Sequence, residues 1–148
     1  MNDPFDLQRF VEAQAEVIDR AMEELRAGKK RSHWMWFVFP QLAGLGRSEM
    51  AQRYAISSLE ESRAYLEHPV LGARLRHCSE IVLAVQDRTA AEIFGAPDDQ
   101  KFWSSMTLFS ITADASTTVF RACLQKYFGG SSDRGTLLLL QGSPQVPG

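Results

Sequence analysis

From Leu7 to Leu25 the apolar side chains return every three or four positions: Leu7, Phe10, Val11, Val17, Ile18, Ala21, Met22 and Leu25. A period near 3.6 residues places them on one stripe of an α-helix, and such a stripe must be buried against another element. The same spacing recurs in Val70, Leu71, Leu75, Cys78, Ile81, Val82 and Val85, in Phe102, Met106 and Phe109, and in Val119, Phe120, Cys123, Leu124 and Tyr127. No stretch alternates with period two, and no Asn-Gly or Asp-Gly hairpin signal occurs. The expected fold is all-α: a compact single-domain multihelical bundle of about six to eight helices.

Boundary signals divide that pattern. Asp3 as N-cap, Pro4 at the first helical position and Gly28 beyond the last turn delimit a first helix. Lys29, Lys30 and Arg31 follow at its negative pole, where positive charge is favourable. The run from Ser32 to Gln41 reads as a short helix or extended segment ended by Pro40, and Gly44-Leu45-Gly46 as a turn. A short helix is expected from Glu49 to Ser57. Ser58 to Glu61 and Thr89 to Glu92 both carry the capping-box pattern, in which a hydroxyl and a carboxylate three residues apart satisfy each other's free backbone N–H groups. The first opens a helix to about Glu67, broken by Pro69; the second opens a brief helix closed by Gly95. A further helix, from about Val70 to Gln86, lies between them. Asp98 or Asp99 is expected to cap the next helix, Gly129-Gly130 to stop the one after it, and Thr136 to Leu140 to form a short helix or a strand. The domain is assigned to residues 1–141, with 142–148, rich in Pro and Gly, as a flexible C-terminal tail.

A chain of 148 residues with 45% hydrophobic and 23% charged side chains buries enough surface to fold around one core without a staple. Its formal net charge of -2 provides no whole-molecule field for a polyanion, so neither nucleic acid nor an anionic membrane is expected as a partner. The longest apolar run, Trp34 to Pro40, is far short of the roughly 20 residues that span a bilayer. Met1 to Asp6 is acidic and lacks the pattern of a secretory signal, so the cytoplasm is the default location. Cys78 and Cys123 have no CxxC spacing and fall in helical stretches, which suggests buried free thiols.

Four segments together resemble one bacterial family: Phe5 to Phe10 with Ala13-Gln14; Ser32 to Gln41 with Gly44-Leu45-Gly46; Tyr65-Leu66 with His68 to Gly72; and Lys101 with Ser104 to Phe109. The family is called "domain of unknown function 1810", and the resemblance covers roughly residues 3 to 141. It implies a compact multihelical fold and transfers no catalytic residue.

Two constellations carry the chemistry that the residues allow. On a helix, His33, Trp36 and Phe37 would share a face, an aromatic wall with one titratable imidazole against which a flat ligand could stack. The competing reading makes these aromatics core. Farther on, helical spacing sets Lys101 and Ser105 on one face, near Ser104, while Phe102, Met106 and Phe109 turn inward. That face would be free to bind an anion, and Asp98 or Asp99 could serve as a general base toward water, although simple capping also explains both. Arg74 could clamp a carboxylate or phosphate, or form an ordinary salt bridge. His33, His68 and His77 lack metal-ligand spacing, no GxSxG elbow occurs, and Gly44-Leu45-Gly46 lacks the rest of a phosphate loop; no metal or cofactor is expected. The leading expectation is therefore a site for a small planar, anionic, nucleotide-like ligand, bound by Trp36, Lys101, Ser104, Ser105 and Arg74. Asp98, Asp99 and His33 are the candidates for hydrolysis. The alternative is a protein-interaction or regulatory module without catalysis, and oligomeric state is left open.

Overall fold

In the computed structural model, which describes residues 2–142, the first amphipathic stretch forms two helices rather than one: α1 (Gln8–Ala15) and α2 (Ile18–Arg26). The break falls at Glu16 and Val17, just after a polar residue on the buried face. Gln14 is 1% exposed, and its Nε2 donates to the Phe37 carbonyl at 2.7 Å and to the Tyr65 hydroxyl at 3.0 Å. With the chain interrupted there, α1 packs on the Trp34 region while α2 packs on a different helix. Asp3 still satisfies the start of α1 by accepting from the Leu7 and Gln8 N–H groups, and the αL residue Asp6 (φ 52°) turns the chain so that it can.

Beyond α2 come α3 (Met35–Val38), α4 (Glu49–Arg53), α5 (Leu59–Glu67), α6 (Leu71–Ala84), α7 (Ala90–Phe94), α8 (Asp98–Thr112), α9 (Val119–Phe128) and α10 (Arg134–Gln141). Ten helices among the described residues exceed the six to eight expected. The first stretch is split, and the Ser32 to Gln41 segment, which could have been a helix or an extended run, contains the single turn α3. Among the described residues there is no strand, only an isolated parallel bridge between Leu42 and Ile56. Thr136 to Leu140 is helix α10, and residues after Gly142 lie outside the described part of the expected tail. No described helix is long and apolar enough to cross a membrane.

The core gathers around α8, against which α5, α7, α9 and α10 pack. Phe102 lies edge-on to Phe39 at 5.1 Å and stacks on Phe94 at 4.6 Å, so α3, α7 and α8 meet at one ring. Fully burying a side chain of this size contributes on the order of 2–3 kcal/mol. Trp103, the next residue on α8, stacks on Phe128 at 5.3 Å and donates to the Ser131 carbonyl at 2.8 Å, which pins the α9–α10 link. Cys78 and Cys123 are buried and unpaired, and burial pushes each thiol up to about 12, so neither is a thiolate nucleophile at neutral pH.

Candidate functional site

The single turn of α3 is bounded by Pro40, whose ring and missing N–H prevent continuation. Starting at Met35, it leaves His33 outside the helix and exposed, so His33 does not share a face with Trp36 and Phe37. The aromatics divide: Trp34, Phe37 and Phe39 are core, and Trp36 is half-buried at the surface.

Burying Trp34 requires a partner for its indole N–H. Glu24, on α2, supplies it at 2.9 Å and also accepts from the Ser32 hydroxyl and from the Arg31 and Ser32 amides. Burial by itself would raise this carboxyl, but the four hydrogen bonds outweigh it and hold Glu24 at about 2.

Lys30, in the adjoining loop, is fixed by two contacts: its amide donates to the Ile93 carbonyl at 2.7 Å, and its ammonium lies 5.2 Å from the centre of the Trp34 ring. That ammonium meets Asp98 Oδ2 at 2.8 Å, with the lysine side chain only 7% exposed. Asp98 Oδ1 in turn faces the Lys101 ammonium at 3.6 Å, and Lys101 lies over Trp36, 5.5 Å from the ring centre. One carboxylate thus sits between two ammonium groups, each against a tryptophan, and Glu24 on the Trp34 indole supplies the second negative charge that balances them. Such cation–π contacts contribute on the order of 0.5–2 kcal/mol each, more as water is excluded. The cluster ties the end of α2, α3 and the first turn of α8 together.

The structure therefore brings Trp36, Asp98 and Lys101 together and adds Lys30 and Glu24, which sequence reasoning did not single out. Trp34 did hold a clue, since a buried indole needs an acceptor, but nothing local says that the acceptor is Glu24. The remaining candidates are placed differently. Neither Asp98 nor Asp99 caps α8: the N-cap is Pro97, Asp98 is engaged by the lysines, and Asp99 accepts from the Gln100 amide at 2.9 Å.

The polar face of α8 is covered rather than free. Ser104 is buried and its hydroxyl donates to Asp133 at 2.8 Å, with the Gln100 carbonyl 3.1 Å away as the alternative acceptor, while the Asp133 amide donates to the Thr107 hydroxyl at 2.9 Å. These hydroxyls dock the start of α10. Ser105 is fully buried, and its hydroxyl has no hydrogen-bond partner among the described residues. Arg74 donates to Gln14 Oε1 at 3.2 Å, completing the polar group around the Phe37 carbonyl and the Tyr65 hydroxyl. Burial raises the Tyr65 phenol, so it stays a neutral donor and acceptor.

Comparison with known proteins bears on this arrangement. The family described as "Protein of unknown function (DUF1810)" matches residues 4–140. The crystal structure of the conserved hypothetical protein Rv1873 from Mycobacterium tuberculosis is 60% identical, covering 94% of this chain and 99% of that one, with a TM-score of 0.92. No curated protein matches.

Proposed function

We propose, for a chain that belongs to the DUF1810 family, that it binds a small anionic, nucleotide-like ligand where Trp36 meets Lys101. The observation that carries this reading is the placement of the Lys101 ammonium 5.5 Å over the half-buried Trp36 ring, with Asp98 holding the lysine from below. A planar group can lie along the indole while its charge is paired by the Lys101 ammonium, whose 3.6 Å contact is the longer of the two that Asp98 makes. Because Lys101 already covers part of the ring, stacking is partial and charge pairing contributes more of the selectivity. The reading stops at binding: Asp98 is committed to two lysines and Asp99 to a backbone amide, so neither is free to activate a water.

The alternative, an interaction module anchored by the same aromatic segment, is less well supported. Trp34, Phe37 and Phe39 are spent on the core, leaving Trp36 alone where a protein interface needs a cluster of anchors.

A thermal-shift screen with nucleotides, nucleosides and sugar phosphates tests the proposal. A ligand selective for the folded state at 100 times its dissociation constant adds about 2.7 kcal/mol of stability, a rise of several degrees for a domain of this size. We expect a saturable rise with at least one nucleotide, lost in Lys101→Ala and weakened in Trp36→Leu. No rise with any compound at millimolar concentration would overturn the reading.

A further inference from the structure

We infer that the open cleft between the end of α2 and α7 is a binding site for a multiply charged anion of the phosphate class. The cleft encloses about 330 Å³, at the lower end of the roughly 300–1,000 Å³ typical of small-molecule sites. Lys29 and Arg88 contribute two unpaired positive charges to its wall and Glu92 one negative charge, while Lys30 lines it with its ammonium paired to Asp98, on a chain whose net charge is -2. The surplus is therefore local. Glu92 is already committed, since its carboxylate accepts from the Thr89 amide at 2.9 Å at the opposite end of α7 from Gly95.

The cations are placed rather than merely present. Lys30 is immobilised through Asp98 and the Ile93 carbonyl. Arg88 lies across Gly28: a Cβ there would come within 3.1 Å of the arginine Cδ and Nε, and the backbone φ of +76° independently favours glycine. The stem of Arg88 is thus seated against the end of α2. Neither Lys29 nor Arg88 has a side-chain hydrogen bond or ion pair among the described residues, so a guanidinium fork and an ammonium stand free on two sides of one concavity.

The opposing term is electrostatic. The C-terminal ends of α2 and α7 border the cleft, and each presents up to about half a negative charge. Their terminal carbonyls are largely satisfied: Lys29, Lys30 and Gly95 donate their amides to Glu24, Ile93 and Ala91. With Lys30 paired to Asp98, Lys29 and Arg88 exceed Glu92 by one charge, and because the terminal carbonyls are largely satisfied the two poles offset only part of it. The site goes beyond the Trp36 seam, because Lys29 and Arg88 take no part in that cluster.

The test is an amide-resolved NMR titration of the full chain with inorganic pyrophosphate at constant ionic strength. We expect saturable shifts at Lys29 to Arg31 and Ala91 to Gly95. Binding should weaken at least tenfold in Arg88→Glu and in Lys29→Glu, both changes at exposed side chains, and stay as in the parent in Arg134→Glu on α10 and in Trp36→Leu. Linear, unsaturable shifts, or unchanged binding in Arg88→Glu, would overturn the site. Loss of binding in Trp36→Leu with Arg88→Glu unaffected would move the anion to the tryptophan seam and refute the cleft. Pyrophosphate binding as described, with no nucleotide response in the thermal screen, would leave the cleft standing and remove the proposed nucleotide function.

Discussion

At the start of α7, Thr89 and Glu92 satisfy each other: the hydroxyl accepts from the Glu92 amide at 3.1 Å and the carboxylate from the Thr89 amide at 2.9 Å. At the start of α5 the same residue pattern closes only halfway. The Ser58 hydroxyl accepts from the Glu61 amide at 3.1 Å, but the Glu61 carboxylate turns away, accepting from the Ser57 amide and hydroxyl and pairing with Arg9 at 3.1 Å. Burial separates the two cases. Thr89 and Glu92 are exposed, so the nearest free N–H is the best partner, whereas Glu61 is 2% exposed and lies against a guanidinium that also donates to the Phe5, Asp6, Arg53 and Ala55 carbonyls. A helix cap of the same residue types becomes, when buried, a clamp joining α1, the end of α4 and α5.

The largest break in this comparison comes from Glu61→Ala, which strands the Arg9 charge against the core. We expect about 3 kcal/mol of destabilisation by chemical denaturation. A cost no larger than that of Glu92→Ala would mean that the Arg9 cluster is worth no more than an ordinary cap.

Glu24 extends the comparison to a carboxylate that caps nothing helical and instead closes the loop ahead of Trp34. Glu24→Gln should cost about 2 kcal/mol at neutral pH, since it weakens four hydrogen bonds to a charged acceptor. The sign of the pH dependence follows from the depressed native value: the contribution is complete above the ordinary value of 4.5 and is lost as pH falls toward about 2. Denaturation across that range should show the parent and Glu24→Gln converging at the acid end; a constant gap would show that charge is not what Glu24 contributes.

The smallest effect belongs to the exposed box. Glu92→Ala should cost about 0.5 kcal/mol and Thr89→Ala about 1 kcal/mol, and the double variant should reveal coupling between them. Additive costs would mean that the two hydrogen bonds act separately.

Much of the fold is legible in the residues. Apolar spacing marks α2, α6, α8 and α9, Pro40 and Pro69 mark ends, Gly129 in the αL conformation (φ 62°) stops α9, and Thr89 opens α7 as its box pattern implies. Within the site, Asp98 and Lys101 meet because three residues on a helix make them neighbours, and that pairing needs no tertiary information. All of these act over one turn of chain.

What only the tertiary structure decided is which distant group meets each buried polar atom. Gln14 reaches the Phe37 carbonyl, Glu61 leaves its box for Arg9, Asp133 closes over Ser104, and Lys30 joins Asp98. Local pairs on a helix contribute a few tenths of a kcal/mol, whereas a buried donor or acceptor left unmet costs about 1–3 kcal/mol. At Gln14, Glu61 and Lys30 the long-range partner therefore prevailed, and no pattern of neighbours along the chain could name it in advance.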